Sequence, residues 1–167
     1  MDKLFNKRNM IIVVVVIMFT SLNLYKEKRD LKKEIGFQHE LLVKETRLLI
    51  QNTIEANWDV REDNRHLLST MPMQLTNKSR AFASIENKVS KISYLLDKIA
   101  ALQYDLIKNG SLSLEQRVIY NNYLKTVDWI LMDYLYEFDH RPYKWYKNFT
   151  KDDSKAVEIL VNRWPKF

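Results

Sequence analysis

Residues 10–19 read Met-Ile-Ile-Val-Val-Val-Val-Ile-Met-Phe, ten consecutive apolar side chains, and Thr20, Ser21, Leu22, Asn23 and Leu24 extend the run. At about 1.5 Å of helical rise per residue, Met10 to Leu24 covers roughly 22 Å, short of a hydrocarbon core of about 30 Å. Leu4 and Phe5 before it and Tyr25 after it lengthen the apolar stretch, and Lys7, Arg8 and Lys26 can snorkel to the headgroups. A cleaved signal peptide needs small residues at its cleavage site, and Ser21-Leu22-Asn23 is a poor version of one. A Val/Ile run can also be a buried central strand, but nothing downstream resembles a strand that could pair with it. The stretch therefore predicts an uncleaved transmembrane anchor over 10–24, preceded by a short basic tail, 1–9.

Orientation rests on the flanks. Lys3, Lys7 and Arg8 precede the anchor, and Lys26, Lys28, Arg29, Lys32 and Lys33 follow it. Counting Lys and Arg alone favours a cytoplasmic C-terminal side. Subtracting Asp2 before, and Glu27, Asp30 and Glu34 after, makes the flanks nearly equal. A short tail ending Lys7-Arg8-Asn9 against an unbroken apolar run is how bacterial signal anchors with a cytoplasmic N-terminus begin, so the domain is expected on the extracytoplasmic side of a cell membrane crossed once.

Downstream, the chain reads as helices. Between Lys26 and Asn64 there is no Pro and a single Gly. Leu31, Ile35, Leu42, Leu49, Ala56 and Val60 share an arc at 100° per residue, which predicts one long amphipathic helix over 25–64 continuous with the anchor. Gly36 within it costs about 1 kcal/mol relative to Ala, and marks a bend or a close approach of a partner. Ser69, Thr70, Pro72 and Asn77 predict a loop over 65–79. Phe82, Ile85, Val89, Ile92, Leu96, Ile99, Gln103 and Leu106 then step by threes and fours, a heptad seam on a helix over 80–108, suited to a bundle or a coiled coil. Asn109-Gly110 supplies a left-handed cap and Ser113 with Gln116 a capping box, so the next helix, 114–139, returns antiparallel. Its inner face is Tyr120, Leu124, Val127, Leu131, Tyr134 and Phe138. Trp129, Ile130, Met132, Leu135 and Tyr136 widen the apolar arc, as in a helix that is central or covered by a partner. Arg141-Pro142 ends it, and Thr150 with Asp152 and Asp153 predicts a last helix over 151–163 with Val157, Leu160, Val161 and Trp164 inward. The chain is thus expected to be all-α: a single transmembrane anchor helix continuing into a small antiparallel helical bundle.

Composition narrows the chemistry. Of 167 residues none is Cys and two are Gly, which excludes disulfides, thiolate chemistry, phosphate-cradling loops and nucleophile elbows. His39, His66 and His140 show no metal-ligand spacing, and each is expected exposed or near a helix end. Asp152-Asp153 is capping material, not an acid/base pair. The N-x-S/T sequons at Asn77, Asn109 and Asn148, against about one expected by chance for this composition, are weak evidence for glycosylation. The net charge of +6 is dispersed and interleaved with acids, unlike a nucleic-acid footprint. No cofactor, metal, enzyme activity or nucleic-acid partner is expected.

Two groups of residues stand out. Lys26, Lys28, Arg29, Lys32 and Lys33, beside the anchor, are candidate contacts for anionic lipid headgroups. Ten of the chain's twenty aromatics fall in its last 39 residues, mixed with Arg141, Lys144, Lys147 and Lys151. Such rings close a bundle end, form a partner surface or make a membrane-interface belt. Tyr143, Trp145, Tyr146 and Phe149 are the candidate partner-binding residues, with at least one ring of 143–146 expected exposed; Trp129 and Trp164 are expected buried. The expected role is a scaffold or accessory subunit of a membrane complex, its partners being the lipid bilayer and another membrane or envelope protein or a second copy. The alternative is a membrane-tethered sensor whose bundle binds a small molecule near the aromatic end.

Overall fold

The computed structural model describes residues 2–55 and 65–165. They form α1 (Asp2–Glu55), α2 (Arg65–Ala83), a 3-10 turn (Lys88–Lys91), α3 (Ile92–Asn109), α4 (Leu114–Phe138), α5 (Pro142–Phe149) and α6 (Lys155–Arg163), with no strand among the described residues. The protein is all-α. Its first helix runs unbroken for 54 residues, about 80 Å, because no proline interrupts it and its only glycine is a single position. Residues 10–34 of α1 expose their apolar side chains and touch little else, and this stretch is long and apolar enough to cross a membrane.

The rest of α1 joins α2, α3 and α4 in an antiparallel four-helix bundle. Arg47 Nε donates to Asp128 Oδ1 of α4 at 3.1 Å, and Lys78 of α2 bonds Glu45. The buried face of α1 differs from the expected stripe. It is Gly36, Glu40, Val43, Thr46, Ile50 and Thr53, about a quarter turn round the helix, with Leu49 at its edge; Leu31 is exposed, and Ala56 and Val60 lie outside the described residues. Polar residues tolerate this burial because each brings its own partner. Thr46 and Thr53 hydroxyls donate to the carbonyls of Leu42 and Leu49 one turn back, at 2.7 and 2.8 Å. The amphipathic pattern was therefore displaced, since hydropathy counts such residues as solvent-facing.

Segment 65–79, expected as a loop, belongs to α2. Leu75, Ser79 and Phe82 are buried at helical spacing against α3, and Ser79 Oγ donates to Ser93 O at 3.1 Å. Tertiary packing outweighs the local loop preference and the hydrogen bond lost at Pro72. The expected helix 80–108 is in turn divided. Asn87 caps the 3-10 turn by accepting from Val89 N–H at 2.9 Å, and its amide donates to the carbonyls of Asn148 and Lys151. A side chain bridging three segments breaks the helix there. All eight seam residues from Phe82 to Leu106 are nonetheless buried. Gln103, the polar one, places its amide nitrogen 3.8 Å from Met71 Sδ.

Gly110 ends α3 at φ 72°, and Ser113 and Gln116 form the reciprocal capping box that opens α4. The last helix begins at Lys155, capped by Ser154, instead of near residue 151. Its Val157 and Leu160 pack inward while Val161 points out.

Candidate functional site

The aromatic end of the bundle is built around α5, a helix where the sequence suggested a connection. Pro142 occupies its first turn, where a missing N–H is harmless. The preceding turn is tight: Asp139 sits at φ 50°, in the region that favours glycine. The Trp145 indole N–H donates to the Asp139 carbonyl at 2.8 Å and holds that turn in place.

Of the candidate partner-binding residues, Trp145 and Phe149 are fully buried and close the bundle end. Trp145 meets Phe138 edge-on at 5.1 Å between ring centroids, and Phe149 lies 5.4 Å from both Trp145 and Tyr134. Two turns of an amphipathic helix suffice to point these rings inward, and eight residues are too few for periodicity to reveal it. The Tyr134 hydroxyl donates to Ala156 O at 2.9 Å, tying α4 to α6, and burial pushes its phenol pKa far up. Of the four candidates, Tyr143 is exposed and Tyr146 half-buried, with the Lys32 ammonium 5.5 Å from the Tyr146 ring centroid.

The membrane-proximal part of α1 meets this cluster through residues that the hydropathy pattern passed over. A Cβ on Gly36 would lie 1.8 Å from the Pro142 carbonyl oxygen, so only glycine lets α5 cross here. His39, expected exposed, is half-buried and stacks on Phe149 at 5.0 Å. Burial lowers its pKa from 6.5 to about 4, so it is neutral near pH 7. Glu40 is buried beside it, and its Oε1 accepts from Lys44 Nζ at 2.6 Å and from His140 Nδ1–H at 2.8 Å. Burial raises the Glu40 pKa, but the bonds from Lys44 and His140 outweigh that and hold it below the ordinary carboxylate value. The signal in the sequence was Gly36, the one glycine in a long helix.

The lipid-contact candidates Lys26, Lys28, Arg29 and Lys33 are exposed and Lys32 is half-buried under α5; Asp30 lies 3.6 Å from Lys33 and 3.9 Å from Arg29. On the outward line of α4, apolar side chains are exposed at both ends, Leu114 and Val118 at one and Trp129, Met132 and Tyr136 at the other, from Leu114 at 82% exposed to Tyr136 at 88%, with Asn121, Asn122 and Lys125 between them. Trp129, expected buried, is 47% exposed, and the Arg163 guanidinium covers one face of its ring at 5.8 Å. Trp164 is half-buried near Tyr94.

An open groove of about 340 Å³ is lined by Lys88, Lys91, Leu160, Val161 and Trp164. Among the described residues no group of three or more His, Asp or Glu side chains could hold a metal ion. The Asn148 side chain is tied into the fold, donating to Lys144 O and accepting from Lys155 N–H, so its sequon is engaged in structure. No protein-family model, curated protein or solved structure matches this chain.

Proposed function

We propose that this is a single-pass membrane protein whose helical domain, held on the extracytoplasmic side, acts as a scaffold or accessory subunit of a membrane complex. The observation that carries the reading is the outward stripe on α4. A soluble helix ordinarily turns such residues inward, whereas Leu114 and Val118 at one end of α4 and Trp129, Met132 and Tyr136 at the other face solvent along one line, interrupted by Asn121, Asn122 and Lys125. A stripe with Trp and Tyr at one end and aliphatic residues at the other suits a partner helix laid along it, since exposed aromatics form the energetic centre of interfaces. The partner is another membrane or envelope protein, or a second copy of this chain.

Site-specific photocrosslinking in native membranes tests the reading. A benzophenone side chain at Met132, on the stripe, is expected to give one discrete adduct. The same group at Lys108, exposed on α3, is expected to give none. A stripe position that yields no adduct, or the same diffuse pattern as Lys108, would count against a helical partner. The groove lined by Trp164, Lys88 and Lys91 supports the second reading, a sensor for an amphiphilic anion, which a thermal-shift screen against such ligands would reveal.

A further inference from the structure

We infer that the outer face of α5 rests on the anionic headgroup layer of the bilayer that α1 enters, so that the domain docks onto the membrane instead of standing clear of it. The inference rests on residues 10–24 spanning that bilayer. Because α1 has no break, distance along it measures height. The headgroup layer adds about 5–8 Å beyond the hydrocarbon, which places it over Tyr25 to about Arg29. Lys32 stands roughly 10 Å beyond Tyr25, and Gly36 roughly 17 Å. The crossing of α5 occurs at Gly36, and Tyr146 reaches back to the Lys32 ammonium, 5.5 Å from its ring centroid. The underside of the bundle therefore lies about one helical turn above the headgroups, within the screening length of about 8–10 Å over which charges are felt.

That underside has the chemistry of a lipid contact. With Trp145 and Phe149 turned up into the core, α5 presents Tyr143, Tyr146 and Lys147, and Thr150 follows on the same side. From Arg141 to Lys151 the chain carries four basic residues and no acid. One of them, Lys144, donates to the Glu137 carbonyl at 3.0 Å; Arg141, Lys147 and Lys151 are exposed. Tyrosines beside lysines are the composition of headgroup-level anchors. A modest tilt of α1, usual for a single span, brings this side into contact. Charge and tether together select an anionic lipid surface over a protein as the occupant.

The chain has no cysteine, so Thr150→Cys gives a unique position for a fluorophore on the underside, and Asn109→Cys a reference at the far end. Full-length protein would be placed in nanodiscs of phosphatidylcholine, with or without phosphatidylglycerol, doped with a headgroup spin-label quencher. Quenching at Thr150→Cys is expected to rise at least twofold when phosphatidylglycerol is present, and at Asn109→Cys not to change. Adding Lys147→Glu and Lys151→Glu should abolish the rise while the protein stays in the disc. A chain retained in the disc with a Thr150 signal indifferent to phosphatidylglycerol would overturn the docking alone. Elution of the chain without a disc would overturn the anchor, and the docking with it. Protection of Thr150→Cys in native membranes but in neither disc would overturn the docking in favour of a protein on this face.

Discussion

The two halves of α1 reverse the usual relation between hydropathy and burial. Met10 to Leu24, almost wholly aliphatic, is exposed along its whole length, while the half that enters the bundle core does so through Gly36, Glu40, Thr46 and Thr53 alongside Val43 and Ile50. A single helix thus carries two solutions to one problem. Apolar side chains left in water lose about 25 cal/mol for each Å² they fail to bury, so the first half calls for cover of another kind, the role proposed above for a bilayer. The second half stays in water-soluble protein, where a polar group can be buried once its hydrogen bonds are made. Threonines bonded one turn back and a glutamate held between Lys44 and His140 meet that condition.

The sharpest way to break this contrast is to separate the halves. Full-length protein is expected to remain in the membrane pellet after an alkaline carbonate wash, and a chain beginning at Lys26 to appear in the supernatant. The effect is all-or-none, because removing the apolar run removes the whole attraction to the bilayer. Full-length protein recovered in the supernatant would mean that residues 10–24 find their cover within an assembly of protein.

How much of this could be read beforehand follows from the same contrast. The long apolar helix at the N-terminus and the seam from Phe82 to Leu106 were legible because both are written almost entirely in apolar residues, as a run or at intervals of three and four. The inner face of α4 was legible for the same reason. The inner face of α1 was not, since its burial depends on glycine and on side chains whose partners lie in the backbone or across 100 residues of sequence, as Glu40 and His140 do. Nor was α2, where Met71, Leu75 and Phe82 are outnumbered by local loop-formers. At the candidate site the aromatic composition was legible but its sorting was not: Trp145 turns in and Tyr143 out only once α5 is known to be a helix, and Trp129 turns out on a helix whose opposite face is buried.

That sorting leads to the next expected effect. Trp145→Ala should cost about 3–5 kcal/mol, the range for truncating a fully buried tryptophan, and should also free the turn at Asp139. Trp129→Ala should cost no more than about 1 kcal/mol, because its ring is half in water and one face of it is covered by the exposed Arg163. Thermal melts of the two variants measure the difference. Equal losses would mean that Trp129 belongs to the fold and not to a docking stripe, and would weaken the proposed interface.

A smaller effect tests the junction between the halves. Gly36→Ala improves helix propensity by about 1 kcal/mol, yet its Cβ would press on the Pro142 carbonyl, and such overpacking costs about 1–3 kcal/mol. A net destabilisation of up to about 2 kcal/mol is expected, with α5 displaced and the tryptophan fluorescence shifted to longer wavelength. If Gly36→Ala instead raised the melting temperature, α5 would cross α1 less closely than the Gly36–Pro142 approach implies, and the underside proposed to face the bilayer would be arranged differently.

The smallest effect concerns the polar burial itself, and it takes the form of a pH dependence. His39 titrates near 6.5 in the unfolded chain and at about 4 when folded. Between these values the unfolded chain holds a proton that the folded protein lacks, so stability is complete above pH 6.5 and falls as the pH drops toward 4. Glu40, also lowered from its reference value of 4.5, acts in the same direction but farther down, its contribution being present above that value and lost as the pH falls through the folded one. Each group can change stability by at most about 1.4 kcal/mol per pH unit, and water around half-buried His39 keeps its share well below that limit. Thermal melts of His39→Leu, which keeps an apolar side chain against Phe149 without a titrating group, should lack the part of the decline between pH 6.5 and 4.5 and retain the part below it. If wild type and His39→Leu lose stability in parallel over that interval, the imidazole is already hydrated in the folded protein. The inner face of α1 would then be wetter than its hydrogen bonds imply, and the contrast between its two halves correspondingly weaker.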